Sequence, residues 1–254
     1  MNEEQVLKAR LKDLADRSYK QNIYTYSAFL NPSEIALFND LKNEMSYVKS
    51  TVYGGADICE RQLVQFGSAS EFGYEGVWPI SVLLIEPLIE KFSDDLNHRD
   101  FLGAIMNLGV ERNVIGDILV KDKKRAYIFC LDSIADFLKQ EITKIKHTNV
   151  KCSILSVYDE INDLKPTLID MNIIVASPRF DAIVASANHL SRNESLNLFK
   201  AKLVSLNGAI CENNSMTLKA GDIFSVRGYG KFCYVGSGNE TRKGRIYIHL
   251  QKYA

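Results

Sequence analysis

Arg179, Arg192, Lys200, Lys202, Arg227 and Lys231 recur through the last third of the chain, spaced at what read as helix and strand ends rather than gathered in one run. Such side chains grip phosphate: the arginine fork donates two parallel hydrogen bonds to an oxyanion, and lysine supplies a compact charge. Between the first two lies Ser191-Arg192-Asn193-Glu194, a capping-box sequence in which Ser191 accepts from the amide three residues on and Glu194 reaches back. The helix it opens presents backbone amides beside Ser191 and Arg192, a ready anion site. Two short helices beside a twisted hairpin would make one rigid face that reads backbone and shape more than bases, as structured RNA requires.

Charge along the chain agrees with that reading. The 254 residues carry 31 Lys+Arg and 31 Asp+Glu. Residues 1–76 hold 8 basic against 11 acidic side chains and residues 77–176 hold 12 against 15, whereas residues 177–254 hold 11 against 5. A basic final third suits a polyanionic partner, because neutralised phosphates release counterions and that release drives non-specific affinity.

Other chemistries find less support. His98-Arg99-Asp100 matches the start of a kinase catalytic loop, but the Asn required five residues after the Asp is Ile105. Gly228-Tyr229-Gly230 lacks the third glycine of a dinucleotide fingerprint and reads as a turn. His98, His147, His189 and His249 show no metal spacing, so no metal and no cofactor is expected. Cys59, Cys130, Cys152, Cys211 and Cys233 are dispersed and odd in number, which points to a reducing cytoplasm. The N-terminus has no signal-peptide build, and the apolar run over residues 80–89 is cut by Glu86 and Pro87, so no membrane partner is expected. With 46% apolar and 24% charged residues the composition excludes disorder, collagen and coiled coil.

The elements that must position these residues follow from periodicity. Val6, Leu7, Leu11 and Leu14 predict a helix over residues 3–19, and Asn31-Pro32 starts a second, with Asn31 as cap and Pro32 in the first turn. Residues 47–52 read as a strand, Gly54-Gly55 as a turn and residues 67–76 as a boundary. The next stretch runs strand (80–89), helix (100–107), strands (117–120 and 126–130), helix (132–146), strand (150–157). That β-α-β-β-α-β order predicts a ferredoxin-like sandwich. Beyond Ser177-Pro178, Phe180, Ile183, Val184 and Ala187 form a helical stripe, and Leu196 and Phe199 face inward on the helix after Ser191. Residues 202–206 and 209–211 flank Asn207-Gly208, a primed hairpin turn. Residues 223–227 read as a strand, and Ile246, Ile248 and Leu250 alternate along another over residues 245–252. The fold class is therefore α+β, in three small domains: residues 1–76 (α/β), 77–172 (ferredoxin-like) and 173–254.

Specific blocks sharpen this. Arg179-Phe180-Asp181, Leu190-Ser191-Arg192, Val204 through Asn207-Gly208, and Lys219-Ala220-Gly221-Asp222 resemble the αL-type RNA-binding module first seen in the fourth protein of the small ribosomal subunit. Ser225 through Phe232 and Lys243-Gly244-Arg245-Ile246 narrow the resemblance to the YlmH family of bacterial proteins. Phe29-Leu30-Asn31-Pro32, Gly54-Gly55 and Glu60-Arg61 resemble that family's N-terminal domain. The block His98 through Gly109, with Gly116 through Val120, resembles its middle domain.

The resemblance implies a non-enzymatic factor that binds structured rRNA and tRNA on the large ribosomal subunit. Its setting would be a split subunit still holding peptidyl-tRNA, where family members support tailing of the nascent chain alongside rescue-factor proteins. Carried over residue by residue, it makes Arg179 and Arg192 the main phosphate contacts, with Ser191, Ser195, Lys200, Lys202 and Asn207 nearby. Charge and position add Arg227, Lys231, Lys243 and Arg245. The chain departs from the usual pattern at Asn193-Glu194, where a small and then a basic residue is common, and at Ala201, where glycine is common. The protein is expected to be a cytoplasmic monomer. Family genes are also often grouped with cell-division genes, so an interaction scaffold in which RNA contact is incidental is the competing expectation. An RNA-modifying enzyme is disfavoured for want of a nucleophile or cofactor site.

Overall fold

Helix α1 (Glu3–Gln21) buries Leu11, Leu14 and Ala15 and leaves its charged face in water, as its periodicity requires. The computed structural model describes residues 3–159 and 168–253. The chain folds as two compact units, Met1–Lys165 and Pro166–Ala254.

In the first unit, α1 is followed by β1 (Thr25–Tyr26), α2 (Pro32–Leu41), β2 (Ser50–Tyr53), β3 (Leu63–Phe66) and the single turn α3 (Ala69–Phe72). Asn31 caps α2 as expected, accepting from the amides of Ser33 and Glu34 at 2.9 and 3.0 Å, with Pro32 at the first helical position. The three strands form a sheet in the order β1-β3-β2. Next come β4 (Ile80–Pro87), α4 (His98–Met106), β5 (Ile115–Lys121), β6 (Arg125–Leu131), α5 (Asp132–Glu141), β7 (Lys144–Ile145) and β8 (Thr148–Ser156). Their antiparallel order β5-β6-β4-β8-β7 is the ferredoxin-like arrangement, with β7 added at the edge. Helix α5 ends at Glu141, short of the expected residue 146. Ile142 takes an extended conformation, and Lys144–Ile145 turn back along Thr148 and Asn149 through Lys146, whose φ is 51°.

Both faces of this second sheet are covered. Leu83, Ile85, Ile128 and Cys130 pack with Phe101, Ile105, Ala135 and Leu138 of the two helices. Ile80, Val82, Tyr127 and Phe129 pack on the other side against Phe29, Cys59 and Leu63 from the N-terminal segment. The contact is too close for side chains at two glycines. A Cβ on Gly55 would lie 2.4 Å from the Phe129 ring, and one on Gly116 would lie 2.7 Å from the Phe29 ring. The division expected at residues 76 and 77 thus separates two sheets within one compact unit, because the N-terminal segment supplies the cover that the ferredoxin-like sheet needs.

The second unit contains β9 (Leu168–Val175), α6 (Phe180–Ala187), α7 (Arg192–Lys200), β10 (Val204–Leu206), β11 (Ala209–Ile210), β12 (Ile223–Val226), β13 (Gly230–Glu240) and β14 (Ile246–Tyr253). Its sheet runs β11-β10-β12-β13-β14-β9. The expected boundary at residue 173 falls inside β9, which pairs along its whole length with β14 and so belongs to this unit. Neither β9 nor the 11-residue β13 was predicted as a strand. Helices α6 and α7 cover one face of the sheet, where Phe180 meets Phe199 and Phe224 edge to face, with ring centroids 5.1 and 5.2 Å apart. That cluster fixes the two helix N-termini relative to one another.

Among the described residues no helix is long and apolar enough to cross a membrane, and no group of three or more His, Cys, Asp and Glu is placed to hold a metal ion.

Candidate nucleic-acid interface

Asp181 organises the basic end of the second unit. Its side chain is 1% exposed, near the start of α6, where a lone carboxylate would be strongly disfavoured. It is held by Arg179 in a two-pronged pair, Nε to Oδ1 at 3.0 Å and Nη2 to Oδ2 at 2.9 Å. Asn214 Nδ2 donates to Oδ2 at 3.1 Å and the Ala182 amide to Oδ1 at 3.0 Å. Burial pushes the Asp181 carboxyl up, but Arg179, Asn214 and the Ala182 amide together outweigh it and hold the group below the usual carboxylate range. Arg179 caps α6 by position only, since its side chain is spent on Asp181.

Arg192 stands differently. It occupies the first position of α7, its side chain is 69% exposed, and its Nε lies 3.9 Å from Asp181 Oδ2. The carboxylate orients it without consuming its donors. Of the two arginines expected as main phosphate contacts, Arg179 is therefore a strut and Arg192 the open fork.

The capping box forms as read from the sequence, and it changes the helix end. Ser191 Oγ accepts from the Glu194 amide at 3.3 Å, and the Ser191 amide donates to the Glu194 carboxylate at 2.7 Å. The Ser195 amide is bonded within the helix, leaving those of Arg192 and Asn193 as the open donors. The ready anion site of the sequence reading is thus half occupied by the protein's own carboxylate. Glu194→Gln keeps the box and removes the charge, so RNA affinity should rise about two- to threefold, the effect of one unit charge several ångströms away in water. Fluorescence anisotropy with a labelled RNA hairpin checks this.

Two expected contacts are internal. Ser195 is fully buried and its hydroxyl donates to the Asp181 carbonyl at 2.8 Å, joining α7 to α6, so it cannot reach RNA. Asn207, at φ 48°, uses both ends of its amide to tie its turn to the start of β12: Nδ2 donates to Asp222 at 2.9 Å, and Oδ1 accepts from the Ile223 amide at 2.9 Å. Asn207→Ala should cost about 1–2 kcal/mol of stability, because it loses these bonds and strains a left-handed position, while RNA affinity of the folded protein stays unchanged. Denaturant unfolding and anisotropy on one preparation separate the two effects.

The remaining basic residues divide into groups. Lys200 and Lys202 lie where α7 passes into β10, and Lys202 pairs with Glu212 at 3.0 Å. Arg227 follows β12 at the same end of the sheet, its amide bonded to the Leu203 carbonyl, and the Lys231 ammonium sits 5.0 Å from the Tyr253 ring centre. Lys243 and Arg245 are exposed on the turn between β13 and β14. The length of β13 separates Lys231 from that turn by about 30 Å at the usual strand rise. One continuous basic face is therefore not what the fold makes. The sequence reading passed over Asp181 and Asn214 as functional residues. The available signal was an acidic residue on the apolar stripe of a helix in a basic segment.

Comparison with a family model agrees with the middle sequence block. Residues 80–159 match the family described as "Putative RNA-binding domain in YlmH". The chain is 25% identical over 251 residues to "Ribosome-associated protein quality control protein P2" of Bacillus subtilis (strain 168), covering 95% of this chain and 91% of that one. A solved structure, "Cell division protein ylmH from Streptococcus pneumoniae", is 22% identical, covers 63% of this chain and 96% of its own, and superposes with a TM-score of 0.49.

Proposed function

We propose, from the premise that this chain is a YlmH-family RNA-binding protein, that it works on the ribosome by gripping structured RNA and carries out no chemistry of its own. The observation that carries this is the open Arg192 fork, oriented by a buried carboxylate that Arg179 neutralises. An RNA phosphate approaching α7 meets that fork and the free amides of Arg192 and Asn193. No side chain has to be reorganised to receive it, and contacts of this type fix position without reading sequence. Lys200, Lys202, Arg227 and Lys231 at one end of the sheet, and Lys243 and Arg245 on the hairpin turn, would then meet separate backbone segments, which suits a folded RNA better than a single strand.

The finer reading is that the RNA is an rRNA or tRNA element of a large subunit that still carries peptidyl-tRNA. The name of the Bacillus subtilis relative, which places that protein in ribosome-associated quality control, supports it. The protein would act as a cytoplasmic monomer without a cofactor, alongside rescue-factor proteins. Co-sedimentation of wild-type and Arg192→Ala protein with small subunits, large subunits and large subunits carrying peptidyl-tRNA tests this at two salt concentrations. Preference for the tRNA-bearing large subunit, lost in the variant, is the expected result. Absence from every ribosomal fraction overturns the reading.

A further inference from the structure

Within the first unit two arginines converge with no carboxylate paired to either, the charge of Asp117 reaching both from a distance and that of Glu34 reaching Arg61. Arg61 Nε donates to the Ile115 carbonyl at 3.1 Å and its Nη2 to the Phe29 carbonyl at 3.0 Å. Arg112 Nη1 donates to the same Ile115 carbonyl and to that of Gly116 at 3.1 Å. Two guanidinium groups therefore share one acceptor oxygen. Among the described residues no carboxylate lies within ion-pair distance of either. The nearby acid, Asp117, accepts from the amides of Glu60 and Arg61, the latter at 3.0 Å, and its charge favours both guanidinium ions without pairing with either.

Like charges brought together and half-buried repel and lose hydration, so a protein that keeps them usually offsets the charge. Here burial, and then the neighbouring Arg61, push the Arg112 guanidinium down to about 10, still fully charged at neutral pH. The same field reaches His98 at the start of α4, whose imidazole is held below its usual range by burial and by Arg112. Backbone carbonyls and the Asp117 carboxylate offset part of the excess.

The unused donors are not sealed off. Among the described residues Arg61 Nη1 and Arg112 Nε and Nη2 make no hydrogen bond, and the buried polar side-chain atoms lacking a partner are Tyr26 OH and Asn113 Oδ1, so these nitrogens are not fully buried. The forks are also fixed in place. Their acceptors lie on the closely packed join at Gly116, where a Cβ would strike both the Phe29 and Phe129 side chains. A pre-organised pair of forks with open donors and no carboxylate paired to either matches an oxyanion that accepts from both.

We propose that Arg61 and Arg112 form a second anion site, which takes a phosphate of the bound RNA at the join between the N-terminal segment and the ferredoxin-like sheet. This rests on the RNA-binding reading above and extends it: Arg112 lies within the segment matched to an RNA-binding domain. Free phosphate shares the chemistry, and the test separates the two sources.

The experiment follows the arginine Nε–H signals of the full chain by NMR as a short RNA hairpin, or inorganic phosphate, is added. Saturable shifts of Arg112 and Arg61 with the hairpin, at concentrations where phosphate alone leaves them unmoved, are the expected result. Shifts with phosphate at equal concentration would mean a free-phosphate site and overturn the RNA assignment. Stationary Arg61 and Arg112 signals while Arg192 shifts would overturn the second site and leave the proposed function standing. If Arg192 also fails to move, the proposed function falls with it. Arg112→Gln should lower hairpin affinity about tenfold, the worth of one charged hydrogen bond, and Arg112→Lys less. Should Arg112→Gln unfold, the wild-type titration still decides the matter.

Discussion

Arg192→Ala should weaken binding of a structured RNA about tenfold and flatten its salt dependence, with the slope of log affinity against log salt falling by about 0.7–0.9, one phosphate contact's share. The loss should be nearly uniform across RNA sequences, because a fork on a phosphate fixes position and reads no base. Stability should barely change. Arg192 is 69% exposed and 3.9 Å from Asp181, and exposed ion pairs of that kind contribute little. Anisotropy titrations of wild type and variant across a range of salt, with thermal unfolding as control, test each part. An unchanged slope would show that Arg192 touches no phosphate.

Asp181→Ala should do the opposite, lowering the stability of the second unit by about 3 kcal/mol. The carboxylate is 1% exposed and holds Arg179, Asn214 and the Ala182 amide, so its removal leaves a guanidinium and an amide without their shared acceptor. The figure lies at the low end for a broken buried pair because Arg179 is 37% exposed and solvent screens what remains. The pH dependence has a definite sign. A carboxyl whose folded pKa is held below its ordinary value contributes stability that is present above that value and lost as pH falls through the folded pKa. Wild type should therefore lose stability in acid through this group, and Asp181→Asn should lack that component. Denaturant midpoints of the second unit measured from neutral to acid pH check both, and an acid profile that Asp181→Asn leaves unaltered would rule the linkage out.

Local chemistry explains what could be read from the chain alone. The capping box at Ser191 and Glu194, the cap at Asn31 with Pro32, and the hairpin turn at Asn207-Gly208, with φ 48° and 86°, each depend on residues within four positions of one another. The β-α-β-β-α-β order was legible for the same reason, since alternating and 3.6-residue apolar periods report which face of each element is buried. Strands β9 and β13 escaped. β9 is exposed along much of its length, interrupted by Asp170 and Asn172, and is a strand because β14 pairs with it, while β13 is broken by Gly236 and Gly238 and carries two register shifts.

Residue types and spacing by themselves determined that this protein has a basic final third, where the arginines that could hold phosphate lie, and which turns and caps frame them. Only the tertiary structure decided which of those residues are available. Ser195 is buried between two helices, Arg179 is spent on Asp181, and Lys231 is separated from Lys243 and Arg245 by the length of β13. It also joined Arg61 to Arg112 around the Ile115 carbonyl, across more than fifty residues of chain. The physical reason is that a side chain's free donors depend on what packs against it, and for a buried carboxylate or a shared carbonyl those neighbours come from distant segments that no local period records.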